Sequence, residues 1–164
     1  MRFSGCKSVH AKRGRGAFTL IELVIVLAIA SILTTIAVPS LMKSIRQEKT
    51  RYAAEELISK FSSARSYAIS RNTYSKFIFQ PDTNSYLIQV YNPDTHAWND
   101  AQSQFVLPYS VQFKTGSITF DSNTATFDPF GSLTKGGEAS LVDSTGYEIK
   151  LQALIANGQL NKVG

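Results

Sequence analysis

The stretch Phe18–Pro39, FTLIELVIVLAIASILTTIAVP, decides how the rest of the chain is organised. From Phe18 to Val38 it is almost wholly apolar, and Glu22 is the one charged residue inside it. As a helix with a rise of ~1.5 Å per residue, the stretch is ~30 Å long, which matches the hydrocarbon core of a bilayer. We therefore predict a helix that crosses a membrane once.

Glu22 is the residue of this stretch that indicates a function. A carboxylate within lipid costs free energy, so an ionisable residue in a membrane helix is interpreted as functional and as having a partner. The alternative is a buried core helix whose Glu22 side chain reaches the headgroup region. The residues that flank the stretch favour the first interpretation.

Residues 1–17 form a short basic flank without any acidic residue. Its charged residues are Arg2, Lys7, Lys12, Arg13 and Arg15. By the positive-inside rule, such a flank keeps the N-terminus in the cytoplasm. A secretory signal peptide places small residues after its apolar run, whereas the small pair Gly16-Ala17 precedes this one. Cleavage at this pair would therefore leave the apolar helix on the mature chain.

The segment GAFTLIELVIVLAIASILTTIAVP resembles the N-terminus of type IV pilins and of the pseudopilins of type II secretion. In that family a basic leader ends at Gly or occasionally Ala, and the next residue is usually Phe. A Glu is fifth in the mature chain, and a Pro lies seventeen residues beyond it, as Pro39 lies beyond Glu22 here. The resemblance implies leader removal by a prepilin peptidase, N-methylation of Phe18 and a role for Glu22 in assembly. Pro39 predicts a bend, because its ring and missing N–H disturb the helix.

The junction Gly16-Ala17-Phe18 offers two candidate scissile bonds. Cleavage after Gly16 makes Ala17 the first residue and Glu22 the sixth. Cleavage after Ala17 makes Phe18 the first residue, Glu22 the fifth and Pro39 the twenty-second. We favour the second bond because the spacings of Glu22 and Pro39 both agree with it.

The chain is basic only because of its leader. It has 17 Lys and Arg against 12 Asp and Glu, and the five leader cations account for the whole net charge of +5. Beyond Asn72, five lysines stand against eight acidic residues, so nucleic acid is not an expected partner. The single cysteine, Cys6, also lies in the leader. The mature chain can therefore form neither a disulfide nor a cysteine metal site.

After Pro39 the helical pattern continues but becomes amphipathic. No Gly or Pro occurs from Ser40 to Arg71, and apolar residues recur mostly at steps of three or four. These apolar residues are Leu41, Ile45, Tyr52, Leu57, Phe61, Ala64, Ala68 and Ile69. The pattern predicts one helix from about Thr19 to Arg71, with these residues toward the core.

Beyond Asn72 the period of the apolar pattern becomes two, and short turns separate the segments, which indicates antiparallel hairpins. The predicted strands are Tyr74–Gln80, Ser85–Tyr91, Gln104–Leu107, Ser110–Lys114, Ser117–Asp121, Thr124–Phe127, Ala139–Asp143, Tyr147–Ala153 and Leu160–Val163. The fold class is thus α+β and pilin-like, with a long N-terminal helix packed on an antiparallel β-sheet head. Residues 1–17 are the leader, 18–39 the transmembrane and assembly half of the helix, and 40–164 the amphipathic helix with the periplasmic head.

Three later segments resemble the minor pseudopilin group GspH/FimT. They are AAEELISKFSSARSYAISRN, FDPFGSLTKGG and YEIKLQALIANGQL. Some members of that group bind DNA through arginines beside the final hairpin Gly. Here Gly158 is followed by Gln159, Leu160 and Asn161, and only Lys162 is basic, so the DNA-binding property does not carry over.

No catalytic chemistry can be assembled from the remaining residues. His96 is the sole histidine of the mature chain, and it lies in the loop NPDTHAWND, whose Asp and Asn residues are typical of turns. A single histidine provides neither a catalytic pair nor a zinc site. We expect no enzyme activity, no cofactor and no metal.

These features predict a structural subunit, most like a minor GspH/FimT pilin, of a type IV pilus-like filament or a type II secretion pseudopilus. The expected partners are other pilins or pseudopilins in a hetero-oligomeric filament, the prepilin peptidase and an inner-membrane assembly platform. The subunit is expected to cross the inner membrane once with a periplasmic head, and then to enter an extracytoplasmic filament. The alternatives are a DNA-binding minor pilin for DNA uptake and a membrane-anchored periplasmic domain that never assembles.

Overall fold

The structure is a computed structural model that describes residues 18–155 and 158–163. Its internal contacts divide the chain after Pro39 into two compact units. Helix α1 spans Leu20–Arg71 and includes Pro39, which confirms the helix predicted from Thr19 to Arg71. The bend at Pro39 stays a prediction.

The second unit, which begins at Ser40, packs one narrow stripe of α1 against its strands. The buried helix residues recur at steps of three or four and are mostly small: Thr50, Ala53, Ala54, Leu57, Phe61, Ala64 and Ala68. The predicted stripe was wrong at Leu41, Ile45, Tyr52 and Ile69, which are exposed. Small side chains occupy the buried face near Thr50, and they let the helix backbone lie close to the sheets.

Helix α1 ends at an asparagine in the left-handed conformation. Asn72 has φ 47°, and the N–H of Thr73 donates to the carbonyl oxygen of Ala68 at 3.1 Å. Asparagine tolerates this conformation and commonly follows the last turn of a helix. The reversal leads directly into the first strand, where Ser75 Oγ donates to the carbonyl oxygen of Ala64 at 2.6 Å.

The described part of the head contains nine strands. They are β1 (Ser75–Gln80), β2 (Ser85–Asn92), β3 (Ala97–Asp100), β4 (Phe105–Val106), β5 (Val111–Phe113), β6 (Thr124–Phe127), β7 (Gly137–Asp143), β8 (Glu148–Ala153) and β9 (Leu160–Val163). One sheet has the order β3-β2-β1-β6, with β4 also paired to β2, and the other has the order β5-β7-β8-β9. All pairs are antiparallel, which confirms the α+β class.

The strand predicted at Ser117–Asp121 is wrong. In a regular antiparallel ladder, backbone N–H groups of β7 would donate to backbone carbonyl groups of this segment. Two of them donate to its side-chain hydroxyl oxygens instead. The N–H of Glu138 donates to Thr119 Oγ1 at 2.8 Å, and the N–H of Ser140 donates to Ser117 Oγ at 3.0 Å. The segment therefore follows β7 without forming a regular strand.

Strand β3 was missed because its sequence, Ala-Trp-Asn-Asp, contains two turn-forming residues and no β-branched residue. Pairing with β2 decides its conformation, with Trp98 opposite Tyr91. The two rings lie 5.4 Å apart, and Lys76 Nζ lies 3.9 Å from the centroid of the Trp98 ring. Aromatic and cation–π contacts thus stabilise a strand that its own residues disfavour.

The core of the head is an aromatic cluster centred on Phe61. The Phe61 ring contacts the rings of Phe77, Phe127 and Phe120 at centroid distances of 5.3, 5.0 and 6.1 Å. The ring of Phe79 on β1 contacts Phe113 on β5 at 5.8 Å, so the cluster extends across both sheets. Because the sheets share no strand, this cluster and the helix together bind them into one unit.

We predict that Phe61→Ala destabilises a head fragment that begins at Ser44 by about 3–5 kcal/mol, because it leaves a cavity at the centre of the aromatic cluster. The fragment lacks the apolar stretch and should be soluble, so urea unfolding followed by circular dichroism measures the change. The matched control is Tyr52→Ala on the same helix, which removes an exposed ring and should change stability by less than about 0.5 kcal/mol. Equal losses from both substitutions would contradict this core.

Candidate assembly site

The described part of the apolar stretch exposes its large side chains along its whole length, from Phe18 to Val38. Its mean hydropathy reaches 2.6 over eighteen residues, and none of that window is buried. Within residues 18–155 and 158–163, one helix is long and apolar enough to cross a membrane by length and composition. The stretch can therefore serve as a surface for lipid or for other helices.

Glu22 lies in the first turn of α1, where its backbone N–H donates to Thr19 Oγ1 at 3.3 Å. Thr19 is thus the N-cap, and Thr19-Leu20-Ile21-Glu22 has the spacing of a capping box. A carboxylate in the first turn is also favoured by the helix dipole. This cap was not predicted, although the spacing of Thr and Glu in the sequence is a sufficient signal.

The structure brings two of the predicted site residues together at the start of α1. Phe18, which is 83% exposed, and the exposed Glu22 are four residues apart. None of the ion pairs found among the described residues includes Glu22. Gly16 and Ala17 lie outside the described residues, and Pro39 lies seventeen residues beyond Glu22. Glu22 is therefore an exposed carboxylate of an apolar turn, and the ion pairs of the described residues do not use it.

Two glycines of the GspH/FimT-like segments meet the helix at Arg65. Arg65 Nε donates to the carbonyl oxygen of Gly131 at 2.9 Å. A Cβ atom at Gly158 would lie only 2.5 Å from that same oxygen, and Gly158 has φ +56°. The turn after β6 and the last hairpin are thus joined to α1 at one point, which requires glycine at position 158.

Strand β9 of the last hairpin is also joined to the helix, through the side chain of Lys162. Lys162 Nζ lies 2.9 Å from Glu55 Oε1. Both side chains are exposed, so the pair contributes little stability. The pairing nevertheless neutralises Lys162, the one basic residue of β9.

The His96 loop is organised by turn chemistry. Asn92 Oδ1 accepts hydrogen bonds from the backbone N–H groups of Asp94 and Thr95 at 2.9 and 3.4 Å. His96 itself has φ 52° in the left-handed region. Across the described part of the chain, no group of three or more His, Cys, Asp and Glu residues could hold a metal ion.

Two family models match the chain. The prokaryotic N-terminal methylation motif matches residues 12–38, and type II transport protein GspH matches residues 53–157. The chain matches no curated protein sequence. The first match includes residues 18–38 of the apolar stretch and the last part of its basic flank, and the second covers the greater part of the head and ends before β9.

Several solved structures have a similar fold. The minor pseudopilin EpsH of Vibrio cholerae is 13% identical, with a TM-score of 0.56 over 71% of this chain and 97% of that chain. GspH of E. coli is 14% identical, with a TM-score of 0.57 over 71% and 89%. The type IV minor pilin FimU of Pseudomonas aeruginosa is 18% identical, with a TM-score of 0.56 over 71% and 90%. At these identities the similarity establishes the shared fold.

We predict that Gly158→Ala destabilises the head fragment by roughly 2–5 kcal/mol. The left-handed conformation costs a Cβ-bearing residue roughly 1–2 kcal/mol, and the contact with the Gly131 carbonyl adds about 1–3 kcal/mol of overpacking. Gly146→Ala is the matched control, because Gly146 has φ +82° but no atom within 4 Å of its Cβ position. Thermal unfolding should separate the two variants, and equal losses would mean that the close approach has no energetic role.

Proposed function

The chain belongs to the type II transport protein GspH family, and on that premise we propose that it is a structural subunit of a pseudopilus or pilus. The observation that carries the proposal is the order of the two matches. An N-terminal methylation motif over residues 12–38 is followed by the GspH match over residues 53–157 in one chain. Members of such a family act by assembly and not by catalysis.

Processing is the first step of the proposed function. A prepilin peptidase cuts after Ala17, the amine of Phe18 is methylated, and the apolar helix keeps the subunit in the inner membrane with its head outside. The N-cap supports this bond. Thr19 caps α1, so cleavage after Ala17 leaves only Phe18 before the cap. The new ammonium and the Glu22 carboxylate then both lie at the start of the helix.

Assembly is the second step. When the subunit leaves the membrane at an assembly platform, its apolar helix exchanges contacts with lipid for contacts with the helices of other pilins. The Glu22 carboxylate then pairs with the N-terminal ammonium of a neighbouring subunit. A buried carboxylate without a partner costs several kcal/mol, so this pair favours the correct register of the subunits more than it adds stability.

The filament is proposed to be hetero-oligomeric, with this chain as a minor subunit. The structures with a similar fold include a minor pseudopilin and a minor pilin, so both a pseudopilus and a pilus remain compatible with the head. No comparison favours a DNA-uptake receptor. Lys162 on β9 is paired with Glu55, and five lysines stand against eight acidic residues beyond Asn72, so the head offers little positive charge to phosphate groups.

Processing can be tested by intact-mass analysis of the protein extracted from membranes. We expect the loss of residues 1–17 and a methylated Phe18. A mature chain that begins at Ala17 would show that the other bond is cut. A chain that retains its leader would contradict the proposed function.

Assembly can be tested with Glu22→Ala. We expect a processed, membrane-retained subunit that is absent from sheared filaments, because the Phe18 ammonium of a neighbour would be buried without a partner at a cost of about 3–5 kcal/mol. Glu48→Ala is the matched control, since Glu48 is an exposed acid of the same helix outside the apolar stretch. It should assemble as the wild type does.

Normal assembly of Glu22→Ala would exclude this residue as the contact with the subunit ahead. A subunit at the filament tip is an exception, because it has no neighbour ahead of it for Glu22 to contact. Cysteine crosslinking to adjacent pilins shows whether the subunit occupies that position. Normal assembly together with crosslinks to a subunit ahead would refute the proposed role of Glu22.

A further inference from the structure

A polar cavity of about 470 Å³ lies in the head beside the first part of α1 that follows Pro39. Its volume falls within the range of about 300–1,000 Å³ that is typical of small-ligand sites. Its walls come from α1, from the segment that leads into β5, and from the turn between β7 and β8. They include Arg46, Lys49, Tyr109, Gln112, Asp143 and Ser144.

Two cations, Arg46 and Lys49, line this cavity. Arg46 Nη1 donates to Ser144 Oγ at 3.2 Å, and both side chains are exposed. Neither Arg46 nor Lys49 takes part in any of the ion pairs found in the described part of the chain. Since hydroxyl and amide groups surround the two cations, the cavity offers both charge and hydrogen-bond donors to an anion.

Asp143 is the one acidic residue of the cavity wall, and its turn already uses much of its hydrogen-bonding capacity. Asp143 Oδ1 accepts hydrogen bonds from the N–H and Oγ1 of Thr145 and from the N–H of Tyr147, at 2.7, 2.6 and 3.0 Å. Burial alone would raise the pKa of Asp143, but these hydrogen bonds and the charge of Arg46 lower it overall. The ionised carboxylate therefore orders the turn that presents Ser144 to Arg46.

The surface around the cavity has the composition of a membrane interface. Leu41, Met42 and Ile45 are exposed, and the basic residues Lys43 and Arg46 lie among them on α1. Tyr109, at the mouth of the cavity, is fully exposed. Apolar residues interspersed with cations are typical of segments that lie at the headgroup level, where tyrosine is also enriched.

The cavity is also close to the end of the apolar stretch along the chain. Arg46 is the seventh residue after Pro39, and seven residues span at most ~25 Å. The headgroup region extends the ~30 Å hydrocarbon core by several ångströms on each side. The length of the intervening chain therefore permits Arg46 to reach the headgroups when the apolar stretch crosses a bilayer.

From this charge, this surface and this reach, we propose that the cavity binds the phosphate of a membrane lipid headgroup through Arg46 and Lys49. The inference rests on the proposed function, since it requires a membrane-held subunit with its head outside. The bound headgroup keeps the head at the bilayer surface before assembly. Extraction into a filament must break this contact.

Native mass spectrometry of the full mature chain in detergent, titrated with phosphatidylglycerol, tests the site. We expect Arg46→Gln/Lys49→Gln to weaken lipid binding roughly ten- to thirty-fold, because each basic residue near an anionic lipid contributes on the order of a five-fold factor. Lys135→Gln/Lys150→Gln is the matched control, because it removes the same charge from exposed positions elsewhere on the head. Equal binding by the two double variants would overturn the proposal.

Asp143→Asn provides a second test, because we do not expect it to weaken lipid binding as Arg46→Gln/Lys49→Gln does. It keeps the side-chain oxygen that accepts the hydrogen bonds of the turn but removes a negative charge from the cavity wall, so phosphate binding should be retained or become several-fold tighter. Weaker binding by this variant, with its melting temperature unchanged, would show that the cavity takes a cationic group, and the proposal would be wrong.

Two further ligands distinguish a lipid headgroup from a free phosphate compound as the ligand of the cavity. Diacylglycerol, which has tails but no phosphate, should bind equally to the wild type and to Arg46→Gln/Lys49→Gln. Glycerol 3-phosphate, at the same concentration as phosphatidylglycerol, should not displace that lipid from the wild-type protein. Displacement would show that the cavity binds free phosphate compounds and not a lipid headgroup. Isolation of wild-type protein with other pilins tests the proposed function separately, because that result does not depend on lipid binding in detergent.

Discussion

The packing of a narrow stripe of small residues on α1 against two antiparallel sheets is the interaction on which the head depends. Ala54, Ala64 and Ala68 are fully buried, and their small side chains let the helix backbone approach the strands. The hydrogen bond from Ser75 to the Ala64 carbonyl is a direct result of that approach. Phe61 fills the centre, where its ring contacts Phe77 on β1 and Phe127 on β6.

The less regular parts of the head are joined to the same helix. The turn after β6 is held by the hydrogen bond from Arg65 to Gly131, and the last hairpin also contacts α1 through the exposed pair of Lys162 with Glu55. The close approach of Gly158 to the Gly131 carbonyl brings these two segments together. The helix is therefore both the core of the head and the element on which its outer segments are aligned.

The assembly role proposed for Glu22 depends on a charge that the described fold leaves without an ion-pair partner. Glu22 is held by the capped first turn of α1, and it forms no ion pair among the described residues. A carboxylate in an apolar turn gains most from a partner that arrives together with burial. In the filament that we propose, an ammonium at the start of a neighbouring helix satisfies both conditions, because it enters as the apolar helices pack.

The sequence by itself determined the helix, the fold class and the family, because each depends on local periodicity or on a motif of fixed spacing. The long apolar stretch, the register of Glu22 with Pro39 and the period-two pattern beyond Asn72 are all visible without contacts. Only the tertiary structure decided which helix residues face the core, since small residues such as Ala53 are buried where larger ones such as Tyr52 are exposed.

Strand β3 exists because β2 pairs with it, and Ser117–Asp121 is irregular because its hydroxyl groups accept the hydrogen bonds of a ladder. The cavity of Arg46 and Lys49 likewise joins residues about a hundred positions apart. Such features depend on partners distant in the chain, and a one-dimensional pattern contains no information about where those partners lie.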